Sequence, residues 1–165
     1  MNVNQRIRDH FIQGWNGRLQ DSSRANFYKN VANFSFQPYS EMVTIPKYRI
    51  SVSTLRVSSH KLYVETGRRR RPHFVPYHER KCHICYVLHD EYALDICNLL
   101  NDEYAFVLEC RMLNDLRTKY IPSTYRTRPI MYTLINLFTC TNKNTVGNIG
   151  IFINKVFVIL NNDLP

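Results

Sequence analysis

The sequence predicts a mostly α-helical protein, with several amphipathic helices arranged around a small irregular cysteine-bearing loop or hairpin. Three observations predict it. Apolar residues recur at spacings of three and four in several separate stretches, the signature of helices with one buried face. Prolines at 38, 46, 122 and 129 fall beside those stretches, where they start or stop helices rather than break them. Between them lies a segment without periodicity, rich in Arg, Pro and His, that leads into Cys82-His83-Ile84-Cys85.

Composition bounds the answer. The chain has 165 residues, 44% hydrophobic and 21% charged, with nine Phe, eleven Tyr and one Trp, enough bulk for a folded core rather than disorder. Three segments are expected to form one compact unit: a helical segment over 1–58, a basic loop with a cysteine module over 59–120, and a helical segment over 121–165. There is no secretory signal, and apolar runs such as Val156–Leu160 are too short to span a bilayer. Five cysteines, an odd number, then point to reduced thiols in an intracellular protein, nuclear or cytoplasmic and with no membrane partner.

Taken in order, Ile7, Phe11, Ile12, Trp15 and Leu19 form one face of a helix over 4–20. Gly14 and Gly17 weaken it by about 1 kcal/mol each. Asp21-Ser22-Ser23 offers cap oxygens for a second helix carrying Phe27, Tyr28, Val31 and Ala32. Pro38 and Pro46 bracket one or two turns over 39–45. Tyr48, Val52 and Leu55 favour a helix over 47–57, although Tyr48, Ile50 and Val52 also alternate as in a strand. Gly67 is expected to end whatever structure His60–Glu65 adopts, and 68–81 to be an extended basic loop. Met112, Leu113, Leu116 and Tyr120 mark a helix that stops before Pro122. Thr127 caps another, with Pro129 in its first turn and Ile130, Met131, Leu134, Ile135 and Phe138 on its face. Cys140 belongs to that apolar face. A last helix over 145–160 places Ile149, Phe152, Ile153, Val156, Phe157 and Leu160 on one side.

Charge is concentrated. Lysines 47, 61 and 81 and arginines 49, 56, 68, 69, 70, 71 and 80, ten in all, face only Glu65 and Glu79, so 47–82 carries +8 of the net +9. Such a patch attracts polyanions by counterion release, although a charge run is more often simply a solvated loop. Candidate phosphate contacts are Lys61, Arg68, Arg69, Arg70, Arg71, Arg80 and Lys81. Tyr63, Phe74 and Tyr77 are interleaved with them, as suits stacking on single strands.

Cys82-x-x-Cys85 is the shortest spacing that lets two thiolates share one tetrahedral ion. Beyond it the chain repeats itself at an offset of twelve: 85–96 matches 97–108 at six of twelve positions, Cys, Leu, Asp, Glu, Tyr and Ala. No Tyr-x-Asp-Asp polymerase signature, Gly-rich phosphate loop or small-molecule site is evident. The tandem acids Asp90/Glu91 and Asp102/Glu103 follow from the duplication without catalysis. The sequence therefore reads as a non-enzyme.

Taken together, His60-Lys61-Leu62, Glu65-Thr66-Gly67-Arg68, Glu79-Arg80-Lys81-Cys82-x-x-Cys85, Asp102-Glu103-Tyr104-x-Phe106, Cys110 and Leu113-x-x-Leu116-Arg117 resemble one known region. It is the zinc-binding segment that follows the reverse-transcriptase domain in invertebrate non-LTR retroelement proteins. Ser22-Ser23-Arg24-Ala25, Tyr120-Ile121-Pro122, Arg128-Pro129-x-Met131 and 142–157 extend the resemblance over roughly residues 20–160. It implies a zinc site of the form Cys-x2-Cys, then His-x4-Cys, and an RNA or DNA partner. Cys82, Cys85 (or its duplicate Cys97) and Cys110 match, while the His position falls on Ala105, so the motif is degraded there. Cys97 as a fourth thiolate, or His89 as a nitrogen donor, would complete the set. The expectation is a nucleic-acid-binding accessory module, a fragment of a longer reading frame. The alternative is a decayed helical interaction protein without zinc.

Overall fold

The computed structural model describes residues 3–22, 26–32, 34–35, 37–69, 72–82, 84–85 and 99–162. It is mostly α-helical, as the periodicity predicts, and the helices are α1 (Val3–Asp21), α2 (Asn26–Val31), α3 (Tyr39–Met42), α4 (Pro46–Arg56), α5 (Tyr63–Arg69), α6 (Asn114–Tyr120), α7 (Ser123–Arg126), α8 (Met131–Thr139) and α9 (Lys143–Asn162). No strand forms among the described residues. Among the described residues a single antiparallel bridge joins Lys81 to Leu100, immediately before Cys82.

The centre of the molecule is the packing of α9 on α4. Helix α9 buries Ile149, Phe152, Ile153, Val156 and Leu160, the face expected from their spacing. Phe152 and Ile153 are wholly excluded from solvent, each contributing about 1.5–3 kcal/mol of burial. That packing offsets the low helix propensity of the β-branched residues. Gly150 sets how closely the helices approach, because a Cβ there would lie 3.0 Å from Tyr48 Cβ and 3.3 Å from Tyr48 O. Helix α4 starts with Pro46 in its first turn, which settles the choice between helix and strand for this stretch.

Helix α1 forms as expected but buries less than its pattern suggests. Ile12, Trp15 and Leu19 are half-buried, and Trp15 meets Tyr28 and Phe34 edge-on at 6.4 and 5.7 Å. Ile7 and Phe11 remain exposed.

Three expectations are corrected. Gly67 does not terminate a helix but sits inside α5, where a Cβ would come within 3.2 Å of the Arg80 side-chain carbons. The residue is small because another side chain crosses there. Arg68 and Arg69 therefore end a helix, and Tyr77–Glu79 form a 3-10 turn, so 68–81 is not one extended loop. Helix α8 begins at Met131, leaving Thr127 and Pro129 outside it. Its buried residues are Leu134, Leu137 and Phe138, while Ile130 and Met131 are exposed. Cys140 lies just beyond that helix, half-buried.

A polar joint holds the helical base to the cysteine module. Ser58 closes α4 with a positive φ of 51°, a conformation costing about 1–2 kcal/mol for a residue with a Cβ. Its hydroxyl donates to Glu103 Oε1 at 2.6 Å. His60 Nδ1 accepts from the Leu62 N–H at 3.3 Å, so the ring proton sits on Nε2 and is donated to Glu103 Oε1 at 2.9 Å. Burial pushes the Glu103 carboxyl up, but His60 and Ser58 outweigh it and hold the group below its ordinary value. This stabilisation is complete above the ordinary carboxylate range and is lost as pH falls through the lower folded value. Asp102, pushed up chiefly by burial, acts in the opposite sense. Glu103→Gln is thus expected to flatten the acid limb of the stability curve, measured by urea unfolding from about pH 6 to about pH 3.

Candidate metal centre

Three cysteines converge although they are separated in sequence. Cys82 follows the Lys81–Leu100 bridge, its N–H donating to Leu99 O at 2.9 Å. Cys85 lies one helical turn on, and its N–H hydrogen-bonds to the Cys82 sulfur. Cys110 arrives from the other side, at the end of a π-helical turn over Ala105–Glu109. That turn exists because Cys110 N–H reaches back five residues to Ala105 O, at 2.8 Å. One extra residue per turn rotates position 110 relative to an ordinary helix, and such π segments recur at functional sites.

The sulfurs of Cys82 and Cys110 are 3.7 Å apart and those of Cys85 and Cys110 are 3.6 Å apart. All three ligand atoms lie within 4.8 Å of one another. With Zn–S bonds of about 2.3 Å, the edge of a regular tetrahedron is about 3.8 Å. The two separations that Cys110 makes thus match edges of a tetrahedral site, and the third sulfur pair lies within 4.8 Å. All three residues are buried, and Cys110 is completely so. The Cys110 hydrogen bond and burial together push the Cys82 thiol far above its ordinary value. An ion entering this cluster must therefore displace protons, which makes its affinity pH-dependent.

His60, Asp102 and Glu103 are engaged elsewhere. Both His60 nitrogens are used, and Glu103 is held by His60 and Ser58. Asp102 caps the turn before the π segment by accepting the Ala105 N–H at 2.8 Å, so the tandem acids serve structure here. Ala105 is buried and offers no donor atom at the position where the motif has histidine. Cys97, His89 and His83 lie outside the described residues. Cys140 stands apart, with its sulfur beside Tyr125 and the Asn142 N–H.

The basic segment is partly reassigned. Arg80 is buried, not phosphate-facing: it donates to Val75 O and Val64 O at 2.9 and 2.7 Å. Its guanidinium lies 5.2 Å from the Phe74 ring and 5.8 Å from the Tyr77 ring, both of which remain exposed. Arg80 is thus the brace that holds two outward-facing aromatics. Arg68 and Arg69 both pair with Glu65, although the Arg69 side chain stays 55% exposed. Lys61 is exposed and Lys81 half-buried. Arg70 and Arg71 lie outside the described residues. A residue that spacing did not single out also borders the cluster: Arg117 donates to the backbone oxygens of Val107 and Cys110.

No protein-family model, curated protein or solved structure matches this chain. Among the described residues, no helix is long and apolar enough to cross a membrane.

Proposed function

We propose that this chain is a zinc-dependent nucleic-acid-binding module, non-catalytic by itself, of the kind found after the polymerase domain of retroelement proteins. Cys82, Cys85 and Cys110 would hold the ion, with Cys97 or His89 as the fourth donor. The observation that carries the reading is the convergence of these three buried sulfurs within 4.8 Å, two of their separations at tetrahedral-edge distances. Zinc there would be structural, locking the Lys81–Leu100 bridge to the π turn. Lys81 precedes the first ligand, so the ion would also fix where the basic segment stands. Lys61, Arg68, Arg69, Arg70, Arg71 and Lys81 then supply phosphate contacts, which confer affinity without sequence choice. The exposed rings of Phe74 and Tyr77 suit stacking on unpaired bases.

The second reading is a helical interaction protein whose three thiols are core residues without metal. Ala105 at the histidine position favours it. Filter binding of single-stranded RNA across a salt series tests the nucleic-acid half. Changing Arg68–Arg71 to alanine is expected to weaken binding and to lower the log–log salt slope by about 0.7 for each phosphate left unneutralised. Unchanged affinity with an unchanged slope overturns it.

A further inference from the structure

We infer that Arg117 is a positioning residue for the metal centre, shaping the turn that delivers Cys110 and supplying the buried positive charge that balances the thiolates. The inference rests on the metal reading above. Arg117 lies on α6 and is 4% exposed. Its Nε donates to Val107 O and its Nη2 to Cys110 O, both at 2.8 Å. The two carbonyls belong to the π turn and to the residue that ends it. Carbonyls at a helix end lack partners within the helix, and buried ones must find them elsewhere. One planar fork reaches both, adding a second donor to the Cys110 carbonyl beside the Leu113 N–H at 3.1 Å, and so fixes the backbone of Cys110 relative to α6.

Charge carries the second half of the argument. The contacts between basic and acidic side chains among the described residues join His60 to Glu103, Arg68 and Arg69 to Glu65, and His78 to Glu79. None involves Arg117, so its buried guanidinium has no carboxylate partner there. A buried cation without a counter-charge is costly. Three thiolates around a divalent ion carry a net charge of −1, and they would stand at the end of the same turn that the guanidinium grips. Cation and cluster thus each lower the cost of burying the other. With the sulfurs protonated, that mutual stabilisation is absent.

The inference separates Arg117 from an ordinary structural bolt. A bolt stabilises metal-free and metal-bound protein equally, and its loss leaves metal affinity unchanged. A counter-charge for the centre stabilises the metal-bound form more. The test is a cobalt(II) titration of wild type, Arg117→Lys and Arg117→Met, read by the thiolate-to-cobalt charge-transfer absorption, with urea unfolding in chelator and in excess cobalt. Arg117→Met is expected to weaken cobalt binding about 10–100-fold, the range usual for residues that support metal ligands. Arg117→Lys, which keeps the charge but loses the fork, is expected to fall between Arg117→Met and wild type and to preserve folding. Both variants should lose more stability with cobalt than without. Equal losses with and without cobalt, together with unchanged affinity in Arg117→Lys and Arg117→Met, overturn the inference while leaving the metal reading intact. A wild type without the charge-transfer band overturns the metal reading, and this inference with it.

Discussion

Cys110→Ser is expected to abolish zinc binding and to lower stability more than any other single cysteine change. Cys110 is the sulfur that both other cysteines meet, at 3.7 and 3.6 Å, so removing it takes away both of those contacts. Two effects add. Losing a site held at about a thousandfold over its Kd removes about 4 kcal/mol of linkage stabilisation. Burying a hydroxyl without a good partner costs about 1–3 kcal/mol more. Urea unfolding should therefore show a loss of about 5 kcal/mol in zinc, of which only the smaller part persists in chelator. Cys140→Ser serves as the control, since that sulfur lies by Tyr125 and Asn142, and it should leave zinc content unchanged. Equal losses with and without zinc would show that Cys110 is only a core residue.

The second large effect is expected at Arg56, which has no part in the metal centre. This residue is 2% exposed and its guanidinium closes the ends of two other helices, donating to Val31 O at 2.7 Å and Phe138 O at 2.8 Å. It also donates to Gln37 Oε1 and lies over the Tyr39 ring, 4.8 Å from its centroid. The C-terminal ends of helices carry partial negative charge, so carbonyl dipoles stand in for a carboxylate. Its Nε alone finds no partner. Arg56→Ala strands these acceptors in the core and should cost about 3–5 kcal/mol in urea unfolding. Arg56→Lys should recover only a fraction, because an ammonium cannot span both helix ends as a planar fork does. A cost under about 1 kcal/mol for Arg56→Ala would show that water replaces the guanidinium.

Periodicity made most of the helices legible, and for a physical reason. In α9 the apolar stripe is long enough that only a 3.6-residue period aligns Ile149 with Phe152, Ile153 and Val156, whereas in α4 the stripe fits a strand as well, and Pro46 at the helix start accompanies the helical outcome. Legibility failed where a partner from elsewhere in the chain decided the outcome. Gly67 looks like a helix stop, but its smallness serves the crossing of Arg80, which lies well beyond the reach of local pattern. Ile130 and Met131 continue the apolar run of α8, yet the face that packs is the one bearing Leu134, Leu137 and Phe138.

The candidate site divides in the same way. Cys82 and Cys85 could be paired from spacing alone, and Cys110 joined them through resemblance, which the sulfur distances accommodate. The π turn could not be foreseen, because a five-residue hydrogen bond leaves no mark on the apolar period. Arg80 counted as a phosphate ligand because charge is visible in sequence and burial is not. Arg117 is part of the resemblance but has no role assigned there, for the converse reason: nothing in Leu116-Arg117 shows that its partners are the carbonyls of Val107 and Cys110.

The central claim is that the three converging sulfurs hold one zinc ion, and metal analysis with zinc-edge X-ray absorption on protein purified under reducing conditions tests it most directly. The account predicts about one zinc per chain, with a first shell dominated by sulfur at about 2.3 Å. Folded protein with no zinc, in which Cys82, Cys85 and Cys110 are all free thiols, would contradict it.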